Sequence, residues 1–138
     1  MRLSWKSELA LPVAVMTGLV ASLLNTSMRN LNALAEENLR IDAELLASLK
    51  QLGVIQTQYD LSRLCGMNES YYSSMRTKGY GMNLGSLVFL WGSLCHRARE
   101  VKEPKVGAVL SHAAGLVHRA VTEKCRIRQH EIQARMGR

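Results

Sequence analysis

A glycine at position 66 separates two short amphipathic patterns between Thr57 and Arg76, and that spacing calls for a tight helical corner. The first pattern offers Leu61 and Cys65 at i, i+4, and the second offers Tyr72 and Met75 at i, i+3. Each spacing places its pair on one side of a helix. Two helices that cross steeply need a small residue at the crossing and a residue tolerant of positive φ at the turn. Ser62 and Gly66 meet those needs, and Met67 is placed to plug the corner. Tyr71-Tyr72 reads as a surface tyrosine beside a core one.

The rest of the chain suits a helical setting. At 138 residues it is long enough for one compact domain. Apolar residues make up 47% and charged residues 21%, so a folded core is expected. With two prolines and no sustained alternating Val/Ile/Thr runs, the expected fold class is all-α, a small helical bundle around the corner. A long amphipathic helix is expected from Asn30 to Leu52. Leu31, Leu34, Ile41, Leu45 and Leu52 form its seam, Leu39, Leu46 and Leu49 widen it, and Gly53 ends it. Asn38 falls on that seam and reads as a solvated asparagine. Downstream, a helix from Leu84 to Val101 presents Leu84, Leu87, Val88, Trp91, Leu94, Cys95 and Ala98, and should cover the back of the corner. A last helix, from Lys105 toward Arg135, presents Val106, Val109, Leu110, Ala113, Val117 and Val121.

The corner residues resemble the helix-turn-helix of Cro- and repressor-like DNA-binding proteins. Leu61, Cys65, Met67, Tyr72 and Met75 stand where that motif has apolar residues, and Gly66 stands at its turn glycine. The run Leu61-Ser62-x-x-Cys65-Gly66, then Glu69-Ser70-Tyr71-Tyr72-Ser73-Ser74-Met75, is also similar to small bacterial helix-turn-helix proteins of unknown function. The resemblance implies that the second helix enters the major groove of duplex DNA. It assigns the contacts to Asn68, Glu69, Ser70, Ser73, Ser74, Arg76, Thr77 and Lys78. One departure stands out: no Arg, Lys or Gln precedes Arg76 on that helix, and Glu69 would repel a phosphate. A non-enzymatic interaction module on the same fold is the alternative.

Charge agrees with a polyanionic partner. Lys plus Arg number 18 against 11 for Asp plus Glu, giving +7. The excess gathers late, where Arg119, Lys124, Arg126, Arg128, Arg135 and Arg138 face only Glu123 and Glu131. Cys65, Cys95 and Cys125 have wide spacing and read as buried free thiols of a cytoplasmic protein. His96, His112, His118 and His130 form no metal-ligand spacing, and no nucleophile elbow or phosphate loop is present. No enzyme, cofactor, metal or small-molecule substrate is expected.

The start of the chain has two readings. Leu9 to Leu24 is uncharged and mostly apolar, short for a membrane span and of a length suited to a signal-peptide core or anchor. The preferred reading is a buried helix starting near Pro12 that packs Leu11, Val15 and Leu19 on the long helix, with a break at Asn25-Thr26-Ser27. The organisation is then an apolar helix over 1–27, the helix-turn-helix with its flanking helices over 28–103, and a basic helix over 104–138. The expected role is sequence-specific duplex DNA binding as a transcriptional regulator, with paired half-sites read by a homodimer. Its interface would be the Leu31–Leu52 helix or the last helix.

Overall fold

A computed structural model of the chain describes residues 5–136, with side chains from Met16 to Met136 apart from those of Leu24, Thr26 and Ser27. Among the described residues every regular element is a helix. The five are α1 (Trp5–Gln51), α2 (Gln58–Leu64), α3 (Tyr71–Lys78), α4 (Leu84–Glu100) and α5 (Pro104–Arg135). The small all-α bundle expected from composition is what forms.

Helices α4 and α5 make an antiparallel hairpin, the most extensive pairing in the molecule, and α1 runs antiparallel along α5. Pro104 opens α5 at its first turn, where its missing N–H costs nothing. Gly107 lies close to the Ala98 carbonyl across the hairpin. The centre is filled by Leu49, Leu61, Leu87, Leu90, Leu94 and Val117, all fully buried, with Met82 and Ile127. Thus α4 serves α5 more than the corner, contrary to expectation. Its link to the corner runs through Tyr71, whose hydroxyl accepts from the Asn83 N–H at 2.9 Å and from Ser86 Oγ at 3.0 Å. Tyr71 is therefore a core residue like Tyr72, not the surface tyrosine expected.

A buried polar knot ties the loop after α3 to the long helices. Lys124 Nζ lies 2.6 Å from Asp42 Oδ1, with both side chains 4% exposed. Lys124 also donates to the Met82 carbonyl at 2.7 Å, while Asp42 Oδ2 accepts from the Met82 N–H at 2.7 Å. Asn38, expected to be solvated, donates to the Tyr80 carbonyl at 2.9 Å. Gly81 (φ 72°) has no room for a side chain, because a Cβ there would lie 2.7 Å from Asp42 Oδ2. Burial pushes the Asp42 carboxyl up and the Lys124 ammonium down, and in each case the partner's charge opposes the shift. The knot fixes where α3 ends and α4 begins.

The long first helix departs most from expectation. There is no break at Asn25-Thr26-Ser27: α1 is continuous, and Pro12 lies inside it. Polar residues interrupt the apolar pattern there, but none of the three is a residue that a helix cannot contain. The packed N-terminal helix is overturned at the residues described, since Leu19, Val20 and Leu23 are more than half exposed. Leu11 and Val15 lie outside the described side chains. Among the described residues no helix is long and apolar enough to cross a membrane. On α4 and α5, Val88, Trp91, Val106 and Val109 are exposed rather than packed, because each helix buries only the narrow face turned to its neighbour. Of the thiols only Cys65 is buried, and burial pushes it up to about 12; Cys125 is exposed.

Candidate nucleic-acid interface

The corner is built from its capping residues upward. Thr57 caps α2: its hydroxyl accepts from the Asp60 N–H at 3.3 Å, and Asp60 Oδ2 accepts from the Thr57 N–H at 3.1 Å and the Gln56 N–H at 2.9 Å. Those backbone donors, with Arg63 beside it, hold the Asp60 carboxyl below its ordinary value. At the other end the chain reverses at Gly66 (φ 74°), where a Cβ would meet the Phe89 ring at 3.2 Å.

Ser62 is the residue that joins the two helices. It is fully buried; its hydroxyl donates to the Gln58 carbonyl at 3.1 Å and accepts from the Tyr72 N–H at 3.0 Å. The Tyr72 N–H belongs to the first turn of α3 and has no partner within its own helix. Ser62 therefore supplies both the small volume that the crossing needs and the acceptor that α3 lacks. Leu61, Cys65 and Tyr72 are buried and Met75 packs against them, as the pattern implied. Met67 does not plug the corner: it is 40% exposed, and the Phe89 ring stands against the turn instead.

The residues that the resemblance assigns to DNA divide into two groups. Helix α3 begins at Tyr71, so Asn68, Glu69 and Ser70 lie in the turn before it rather than on its first turn. All three are exposed; Asn68 Oδ1 accepts from Ser70 Oγ at 2.9 Å, leaving the Asn68 amide donors outward. On the helix, Ser73 and Ser74 are half-buried and Ser73 Oγ is turned back to the Ser70 carbonyl at 3.1 Å. Arg76, Thr77 and Lys78 are exposed at its end, and Arg76 Nη1 reaches the Tyr72 hydroxyl at 3.4 Å. Glu69 lies 3.6 Å from the Arg63 guanidinium, so its charge is partly neutralised from within.

Two cations that the sequence did not single out join this surface. Arg63 and Arg97 line one cleft of about 310 Å³ with Leu64, Gly66, Phe89, Ser93 and His96. They come from α2 and α4, thirty-four positions apart in sequence, and no motif links them. Three of the basic residues late in the chain are engaged within the molecule, while Arg119 and Arg135 stay exposed. Lys124 is in the buried knot, Arg126 pairs with Glu37, and Arg128 pairs with Glu131 at 3.3 Å. Arg138 lies outside the described residues.

The chain matches no family model, no curated protein and no solved structure. The chemistry of the surface must therefore carry the functional reading. It presents hydroxyl and amide groups around the start of α3 and guanidinium and ammonium groups at its end, with more guanidinium behind the turn. Such a surface suits a polyanion with hydrogen-bonding edges.

Proposed function

We propose that this chain binds duplex DNA through the α2–α3 corner and acts as a transcriptional regulator, working as a homodimer. One observation carries the reading: a buried serine and a positive-φ glycine hold α3 as an outer helix whose exposed groups are polar or basic. Arg76 and Lys78 take phosphates, with Arg63 and Arg97 extending the same contacts behind the turn. Asn68, Ser70, Ser74 and Thr77 face base edges, and the free Asn68 amide donors are the best suited to discriminate among them. Glu69, tethered by Arg63, accepts from a cytosine amino group or stays clear of the backbone. A single helix of eight residues reads few base pairs, which is why a two-fold pair of half-sites belongs to the proposal.

Selection from a random duplex pool followed by a mobility-shift assay at low salt tests this reading. Asn68→Ala should keep general binding and flatten sequence preference at one or two positions, by about 1–3 kcal/mol each. If no duplex shifts at low salt, DNA binding is wrong. A second reading, a non-enzymatic protein-interaction module, is favoured by one observation. Phe89 stands 56% exposed against the turn, the kind of apolar anchor that protein partners cover.

A further inference from the structure

Helix α4 has two open flanks. Phe89, His96 and Arg97 belong to the cleft beside the turn. Trp91, Gly92, Cys95, Ala98 and Arg99 face the other way, across a groove of about 590 Å³ from Ser111 of α5. On α4, Trp91, Cys95 and Ala98 recur at i, i+4, i+7, and on α5 Ser111, Gly115 and His118 do the same. Each helix therefore gives the groove one stripe. At one end the His118 and Trp91 rings meet, with centroids 5.3 Å apart, and join the two stripes. Two glycines keep the groove open: a Cβ added to Gly92 or to Gly115 would meet nothing within 4 Å. Glycine inside a helix is unfavourable beside alanine, and here no neighbour in the described chain needs the space.

We infer that this groove binds a small planar aromatic carboxylate, with its ring against Trp91 and its carboxylate on Arg99. The inference goes beyond the DNA reading and does not rest on it. The groove has the size of a small-molecule site, roughly 300–1,000 Å³, and the usual make-up of an apolar lining with few placed polar groups. Trp91 is 37% exposed and offers an aromatic surface for a flat ring. Charge selects the rest of the ligand. Arg99 Nε donates to the Cys95 carbonyl at 3.4 Å, which lays the side chain back along α4 beside the groove. Among the described residues Arg99 forms no ion pair, whereas Arg40, Arg63, Arg126 and Arg128 all do. No carboxylate lines the groove. A guanidinium free in this way takes a carboxylate through two parallel N–H bonds. A protein partner would need a broad apolar core, which this flank lacks. Val88 and Trp91 stand open on it, but Ser111, Gly115 and His118 opposite are small or polar, and Val106 and Val109 lie about 140° or more around α5 from Ser111.

Titration of the full chain with 2-naphthoate, followed by nuclear magnetic resonance at the indole N–H signals of Trp5 and Trp91, is the test. Trp5→Phe supplies the assignment. The Trp91 signal should move and saturate with a Kd of about 1 mM or tighter, while the Trp5 signal stays in place. 2-Naphthamide has the same shape without the charge and should bind about fivefold more weakly. Arg99→Gln should bring 2-naphthoate down to the affinity of the amide and leave the amide unchanged. Gly92→Leu, or Gly115→Leu on the opposite wall, favours the helix and fills the groove, so each should remove binding of both probes without lowering the melting temperature. A Trp91 signal that never saturates overturns the inference. So does equal affinity for the acid and the amide, or binding indifferent to Arg99→Gln or to both leucine variants. None of these readouts involves DNA, so a chain that passes them and shifts no duplex keeps this site and removes the DNA reading.

Discussion

Ser62 and the Asp42–Lys124 pair show how single side chains position the corner. Replacing Ser62 with alanine preserves the small volume but strips the Tyr72 N–H of its acceptor in a buried place. Such an unsatisfied donor costs about 1–3 kcal/mol, so Ser62→Ala should lower the denaturation midpoint by a corresponding amount in a urea titration. An unchanged midpoint would mean that water reaches the donor. The ion pair obeys a different balance. Desolvation opposes the charge on both partners, so the intact pair adds little, whereas a lone buried carboxylate is expensive. Lys124→Met alone should therefore cost about 3–5 kcal/mol, and Lys124→Met with Asp42→Leu should recover much of that loss. If the single and double variants melt together, the pair does not hold the loop. Neither role was visible in sequence. A lysine on a basic helix looks like a surface charge, and its carboxylate partner lies on a helix at the far end of the chain.

Among the helices, the corner was the most legible part, because its signals are local. The i, i+4 and i, i+3 spacings, the capping threonine and the glycine all act within a few residues of where they are read. Gly66 gives that legibility a magnitude. Its φ of 74° costs a side-chain-bearing residue about 1–2 kcal/mol, while the clash with the Phe89 ring can relax because Phe89 faces solvent. Gly66→Ala should thus destabilise by about the backbone cost alone, as read by thermal unfolding, and Phe89→Ala should not rescue it. Rescue would show that the ring, not the backbone, sets the cost. The start of α3 was less legible. Asn68 and Glu69 suit a first helical turn, but Ser70 adopts the position before the helix and leaves them in the turn. Helix α1 was misread at its polar interruption. Asn25, Thr26 and Ser27 signal a break only where tertiary contacts need one, and among the described residues no packed partner upstream requires the chain to turn.

At the scale of the whole molecule, net charge did not say which face carries the outward cations. Three of the late cations pair with Asp42, Glu37 and Glu131 while Arg119 and Arg135 stay exposed, and near the corner Arg76, Lys78 and Arg97 stand outward from α3 and α4, with Arg63 of α2 held by Asp60 and Glu69. The central claim is that this surface binds the phosphate backbone of duplex DNA. Fluorescence anisotropy with a random-sequence duplex, repeated across a salt series, tests it most directly. Binding should weaken linearly on a log–log plot as salt rises, because each neutralised phosphate releases its counterions. For the Arg76→Ala, Lys78→Ala double variant the slope should fall by about two, roughly one for each phosphate that is no longer neutralised. A duplex that does not bind at low salt, or a slope that the double variant leaves unchanged, would contradict the assignment of this face to DNA.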